Sequence, residues 1–187
     1  MRTLQIGIMG SASDLNYSQE LENRAKEMGF LIAQSGNVLM YGAEKDYDSL
    51  STAAARSCSE AGGITVGVTY GTDKETFDAE SSTICIVSGL GRGGGREFAL
   101  VASCDVIITL NGGSGTLTEI AQAYQLDIPI IALSGTGGWS EKLAGTYLDE
   151  RKRRIILVAT TPVEAVKLAI NAAKEKLNKK KTNKEVK

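Results

Sequence analysis

The sequence contains no histidine. That one absence removes Ser-His-Asp and Cys-His catalysis, histidine-ligated metals and imidazole acid–base chemistry. Any chemistry must use carboxylates, arginine, lysine, tyrosine, hydroxyls or backbone donors. Aromatic residues make up only 5% of the chain, too few to build a stacking platform for single-stranded nucleic acid. The formal net charge is −1, which gives no general attraction to nucleic acid or to a membrane surface. No apolar run is long enough to cross a bilayer. The N-terminus enters a strand pattern directly, with no secretory signal, so the expected compartment is the cytoplasm. Cys58, Cys85 and Cys104 are odd in number, widely spaced and set among apolar residues. They read as reduced thiols, not as a disulfide framework or a zinc site. No metal and no cofactor are expected.

What the chain does have is glycine, 21 in 187 residues, placed between short apolar runs. The length suits one domain, here read as residues 1–177, followed by a lysine-rich flexible tail at 178–187. In order, the pattern predicts a strand at Leu4–Met9, a turn at Gly10–Asp14, and a helix through Leu21, Ala25 and Met28 that stops at Gly29. A second strand is expected at Phe30–Gln34, then Ser35-Gly36 and an irregular segment to Tyr47. A helix over Asp48–Glu60 precedes a strand at Ile64–Thr69, and the polar stretch Tyr70–Ser82 reads as a loop covering or bordering a cleft. Further strands are expected at Thr83–Val87, Val106–Leu110, Pro129–Leu133 and Ile155–Val158. Helices are expected at Arg96–Ser103, from Ser114 or Thr116 onward, at Trp139–Glu150, and from Thr161-Pro162 to about Leu177.

Strands alternating with helices at this spacing imply an α/β fold: a doubly wound, largely parallel sheet with helices on both faces. In such sheets ligands bind beyond the carboxyl ends of the strands. The glycine-rich turns after Met9, Gln34, Val87, Leu110 and Leu133 therefore belong on one rim, with Gly10, Ser11, Ser35, Gly36, Gly91 and Gly94 as candidate contacts.

The most informative turn runs from Asn111 to Gly115, between a buried strand and a helix. Its glycines let backbone N–H groups approach a ligand, and the helix start adds partial positive charge, which makes an anion cradle. Gly112, Gly113, Ser114, Gly115 and Thr116 are its members, and Glu119 follows in the first turns of the helix. Rival motifs fit less well. Gly89-Leu-Gly91-Arg-Gly-Gly94 satisfies G-x-G-x-x-G, but the following strand ends at Asn111 where a dinucleotide site wants an acid for the ribose. No P-loop sequence occurs, and Ser114 lacks both the glycine of a nucleophile elbow at 116 and a histidine to activate it. Arg96 and Glu119 both sit near helix starts, so both could face the rim. Arg96 could grip a phosphate or carboxylate, and Glu119 could position water or stabilise charge on a sugar ring. Equally, Arg96 could pair with a surface acid while Glu119 only favours its helix start.

Gly112-Gly113-Ser114-Gly115-Thr116-Leu117-Thr118-Glu119 resembles the G-G-x-G-T-x-x-E motif of the LOG-like proteins, long labelled "possible lysine decarboxylase" and including the cytokinin riboside 5′-monophosphate phosphoribohydrolases. The resemblance is specific over about Gly89–Gly138 and covers most of the chain. It implies a Rossmann-like fold, a homodimer or higher homo-oligomer, and a nucleoside 5′-monophosphate ligand. It also implies hydrolysis of the N-glycosidic bond to free base and ribose 5-phosphate. On this chain it makes Gly112, Gly113, Gly115 and Thr116 the phosphate holders and Arg96 with Glu119 the catalytic pair. Three departures mark a different branch. Asn111 replaces a proline, Glu97 replaces a lysine, and the early S-G-G-x-x-G-x-M segment is reduced to Ser35-Gly36. These features, with Ser134-Gly-Thr-Gly-Gly138, are similar to the branch of molybdenum cofactor carrier proteins, for which the implied ligand is a phosphorylated pterin. The alternative to the hydrolase is thus a non-catalytic binder or carrier of a phosphorylated heterocycle.

Overall fold

The computed structural model describes residues 2–185, with side chains described through residue 179 and at 182. Seven strands, β1 (Gln5–Gly10), β2 (Val38–Gly42), β3 (Ile64–Thr69), β4 (Ile84–Val87), β5 (Val106–Leu110), β6 (Ile130–Leu133) and β7 (Leu157–Ala159), form one sheet. Their order is β4-β3-β2-β1-β5-β6-β7, and every pairing is parallel. The chain winds outward from β1 to β4 and then restarts on the other side of β1 with β5. That reversal opens a crevice between the carboxyl ends of β1 and β5, where such sheets take ligands.

Alternation along each strand feeds two cores. Ile6, Ile8, Leu39, Tyr41, Val106, Ile108 and Leu110 meet the first helices, α1 (Gln19–Gln34) and α2 (Leu50–Glu60), and the last, α6 (Pro162–Glu185). Met9, Met40, Ile107 and Ile130 meet α3 (Gly95–Ala102) and α4 (Ser114–Gln125) on the other face. Both side-chain parities are apolar because both faces are covered. A short helix, α5 (Gly138–Leu143), borders the second face.

The structure corrects the sequence reading at three places. Gly29 does not end the first helix, and Phe30–Gln34 is not a strand; α1 runs on to Gln34 and β2 follows at Val38–Gly42. Gly29 is there for packing: a Cβ on it would lie 1.9 Å from the Ala54 carbonyl oxygen of α2. The residue that stops α1 is Gly36, at φ +69°, the left-handed position that a helix C-terminus assigns to glycine. The helix expected at Trp139–Glu150 ends at Leu143, and Gly145 turns the chain with φ +72°. Residues 178–185, expected to be a frayed tail, continue α6 to Glu185. Lysine is a good helix former and nothing between Leu177 and Glu185 breaks the helix; residues 186–187 lie outside the described part. Among the described residues no helix is long and apolar enough to cross a membrane.

Candidate functional site

The loops after β1, β2, β4 and β5 enclose a cleft of about 420 Å³ at the β1–β5 crevice. Its floor is the start of α4. Gly113 stands at the N-cap and has no side chain to satisfy the first N–H groups of the helix; Leu117 N–H is the one that returns to the Gly113 carbonyl, at 3.0 Å. The N–H groups of Ser114, Gly115 and Thr116 precede that bond, and these three residues with Gly113 line the cleft. Uncapped donors at the positive end of a helix dipole make an anion seat.

Gly112 has a different job. Its N–H donates to Ser11 Oγ (2.9 Å) and Asn111 Oδ1 (2.7 Å), and it does not line the cleft. Ser11 in turn donates to Asn111 Oδ1 at 2.7 Å, tying the loop after β1 to the loop after β5. Asn111 is left-handed, at φ +52°, and its N–H donates to Thr136 Oγ1 at 2.8 Å. A proline could do neither, since its ring fixes φ near −65° and it has no N–H. Asn111 therefore marks a locally different turn, not a tolerated replacement inside the same one.

Arg96 and Glu119 are brought together as expected, lining both the cleft and a recess of about 40 Å³ behind it. Arg96 is 3% exposed, and it is already engaged: it pairs with Glu44 and lies 3.5 Å from Glu97 Oε1. Its guanidinium rests on Gly42, where a Cβ would come within 1.6 Å of Nη1. Burial pushes the Glu119 carboxyl up to about 8; Arg96 pulls it down by less, and Glu97 and Glu44 push it further up. Near neutral pH Glu119 is therefore mostly the neutral acid. Glu97 goes the other way: burial raises it, but the donors at the start of α3, including Gly94 N–H at 2.7 Å, and Arg96 together hold it below the usual range.

The remaining expected contacts divide. Gly10 and Ser11 line the cleft, whereas Gly91 and Gly94 shape the turn into α3 without lining it, Gly94 with φ +150°. Ser35 and Gly36 connect α1 to β2 and so lie at the amino-terminal edge of the sheet, on the opposite rim. The misplaced second strand put them on the wrong side. Its true position brings Gly42, Ala43 and Glu44 to the rim instead. Glu44, Tyr47, Arg92 and Asp14 all line the cleft and were not singled out from the sequence. Glu44 was within reach: Val38–Tyr41 is an apolar run directly after a Gly-Asn helix stop. The loop at Tyr70–Ser82 borders the cleft at one remove, bracing residues 44–46 through Phe77 N–H to the Glu44 carbonyl (2.7 Å), Tyr70 to Asp46 (3.0 Å) and a Lys45–Glu75 ion pair.

Cys58 and Cys104 are buried free thiols, both pushed up by burial, Cys58 to about 11, so neither is a nucleophile. Among the described residues no group of three or more His, Cys, Asp or Glu could hold a metal ion.

The model of the SLOG cluster4 family matches residues 3–166. The X-ray structure of TM1055, a structural-genomics target, is 29% identical over 89% of this chain and 98% of that one, with a TM-score of 0.79. The molybdenum cofactor binding protein from Rippkaea orientalis is 28% identical over 90% and 96% of the two chains, at a TM-score of 0.75. A Moco carrier protein from Chlamydomonas reinhardtii is 27% identical over 93% and 99%, at 0.76.

Proposed function

The chain belongs to the SLOG cluster4 family, and from that membership we propose that it binds a phosphorylated heterocycle and releases it intact. A pterin of the molybdenum cofactor kind is the leading candidate, since two of the similar structures bind or carry that cofactor. The observation that carries the reading is the uncapped start of α4 opening into the cleft. It seats a phosphate, and about 420 Å³ is within the range of roughly 300–1,000 Å³ typical of small-molecule sites. Tyr47 on the cleft wall offers a ring for a planar heterocycle. Two features favour holding over cleaving. Arg96 is paired with Glu44, and Glu119 is largely protonated near pH 7, so it is a poor partner for a cationic sugar transition state.

Native mass spectrometry of protein purified without added ligand tests the proposal. The expected result is a retained adduct whose fragments include phosphate and an intact heterocycle. Failure to retain or rebind any phosphorylated heterocycle would count against it.

The second reading is hydrolysis of a nucleoside 5′-monophosphate, favoured by Arg96 and Glu119 lining one recess. Incubation with a panel of nucleoside monophosphates should release no free base or ribose 5-phosphate; release that disappears in Glu119→Ala would reverse the order of the two readings. Self-association is proposed as well, supported by the half-exposed apolar side chains Ile84 and Ile86 on the edge strand β4 and Phe98 on α3. Light scattering that finds monomer at every working concentration would exclude it.

A further inference from the structure

The donor inventory of the cleft is not closed by one phosphate. Arg92 and Arg96 both converge on the single carboxylate of Glu44, each pairing with a different oxygen. Arg96 is held in place by the Gly42 backbone beneath it and by burial, and its Nε is a buried donor with no partner among the described residues. Arg92 is the exposed half: its side chain is 47% exposed and lies over the Tyr70 ring at 4.9 Å. Two guanidinium groups carry ten N–H donors between them, and one carboxylate uses few of these. A buried guanidinium with surplus donors at the wall of a ligand cleft is built to receive an anion with several acceptor oxygens.

Glu44 itself arrives on the loop between β2 and α2, not on a strand or helix. That loop is braced from outside by the Phe77 N–H and by the Lys45–Glu75 pair. The carboxylate can therefore swing away from the arginines while its backbone stays anchored.

We propose that Glu44 stands in for a second anionic group of the ligand, which on binding takes over the guanidinium groups of Arg92 and Arg96. The ligand class narrows accordingly. Building on the binder proposed above, it is a heterocycle with a phosphate for the start of α4 and a second oxyanion or comparable electron-rich group for the two arginines. A molecule with one phosphate alone must leave Glu44 in place and gains nothing from Arg96 Nε. Selection of the two-anion ligand over common nucleoside monophosphates follows from that difference.

Tungstate is a suitable probe because it is a compact dianion with no heterocycle to fit or misfit. Crystals of wild type and Glu44→Gln are soaked with it and sites located by anomalous scattering, with bound tungstate per chain counted by equilibrium dialysis. The expected result is one shared site at Ser114–Thr116 and a further site at Arg92 and Arg96 in the variant, doubling the tungstate bound. Two sites in wild type, with the Glu44 side chain displaced, give the same answer. A variant that keeps only the Ser114–Thr116 site overturns the proposal while leaving the phosphate seat intact. Absence of tungstate from Ser114–Thr116 in both proteins overturns the underlying binder reading as well. If Glu44→Gln does not fold, Glu44→Asp keeps the charge but shortens the reach; a second site is expected there at partial occupancy, and none would sink the proposal.

Discussion

Two sets of donors line the same cleft and are neutralised in opposite ways. At the start of α4 the donors are backbone N–H groups, and the residue that could cap them, Gly113, has no side chain. At Arg92 and Arg96 the donors are charged, and Glu44 occupies them. The difference follows from cost. Exposed N–H groups at a helix end lose little by facing water, so they can wait for a ligand. A guanidinium that is 3% exposed cannot be left without a counter-charge, so the chain must supply one. An anion site made from backbone is naturally open; one made from a buried arginine is naturally occupied.

The sharpest way to break this contrast is to remove the buried cation. Arg96→Met leaves Glu44, Glu97 and Glu119 clustered without the charge that faces all three. The expected cost is about 4 kcal/mol of folding stability, the loss typical of deleting one member of a buried pair, read as a lower denaturation midpoint in urea. A loss under about 1 kcal/mol would mean that the pairs behave as surface ion pairs.

Next comes the acid that the arginine does not fully tame. In the unfolded chain Glu119 titrates near 4.5 and in the folded protein at about 8. A carboxyl raised on folding contributes stability that is full below 4.5 and is lost as pH rises through 8. Glu119→Gln removes that dependence. Wild type and variant should be close in stability at pH 5, with the variant ahead by about 4 kcal/mol at pH 9, compared by urea melts at both values. An equal gap at both pH values would show that Glu119 is ionised throughout.

Gly42→Ala tests the seat of the arginine with the charges left in place. The added Cβ would sit 1.6 Å from Arg96 Nη1 and force the guanidinium off its rest. About 2 kcal/mol should be lost, as for other overpacked sites, together with a weaker Glu44 pair. If the variant keeps wild-type stability, the end of the arginine side chain has simply moved aside.

Gly42 also shows where the sequence was legible and where it was not. The strands Val106–Leu110 and Ile64–Thr69 and the turn at Asn111–Gly115 follow from local composition, because a short β-branched run ending in glycines has few alternatives. Topology and the carboxyl-end rim followed from the alternation of elements. The second strand did not, because Gly29 carries the same local signal as a helix stop while its cause lies in the backbone of another helix. Phe30–Gln34 is an apolar run either way, and only the contact with α2 makes it helical. That single shift moved Ser35 and Gly36 onto the wrong rim and hid Glu44. The placement of Gly113–Thr116, Arg96 and Glu119 along one cleft was unaffected, since all of them lie on elements downstream of the error. The occupied state of Arg96 was not legible, because Glu44 is 52 positions away along the chain.

The smallest effect on stability tests the open half of the contrast, and it should come with a large effect on binding. Gly113→Asp supplies the cap that α4 lacks. Gly113 has φ −92° and ψ −153°, an extended conformation that aspartate adopts freely, and the nearest obstacle to a Cβ is the Leu15 Cδ1 atom, the end of a flexible side chain. An aspartate there can accept from the N–H groups of the first helical turn and places a negative charge at the helix start. Stability should rise by about 0.5–1 kcal/mol in thermal or urea denaturation, a few tenths from the cap and the rest from the charge at the helix start. The same carboxylate occupies the anion seat, so affinity for phosphate-bearing ligands should fall by at least about tenfold, since 1.4 kcal/mol of lost interaction already gives that factor. Stability and binding thus move in opposite directions, which a nonspecific perturbation of the fold would not do. If the capped variant binds as tightly as wild type, the phosphate seat is not at the start of α4, and the two donor sets differ only in that one of them has no ligand to hold.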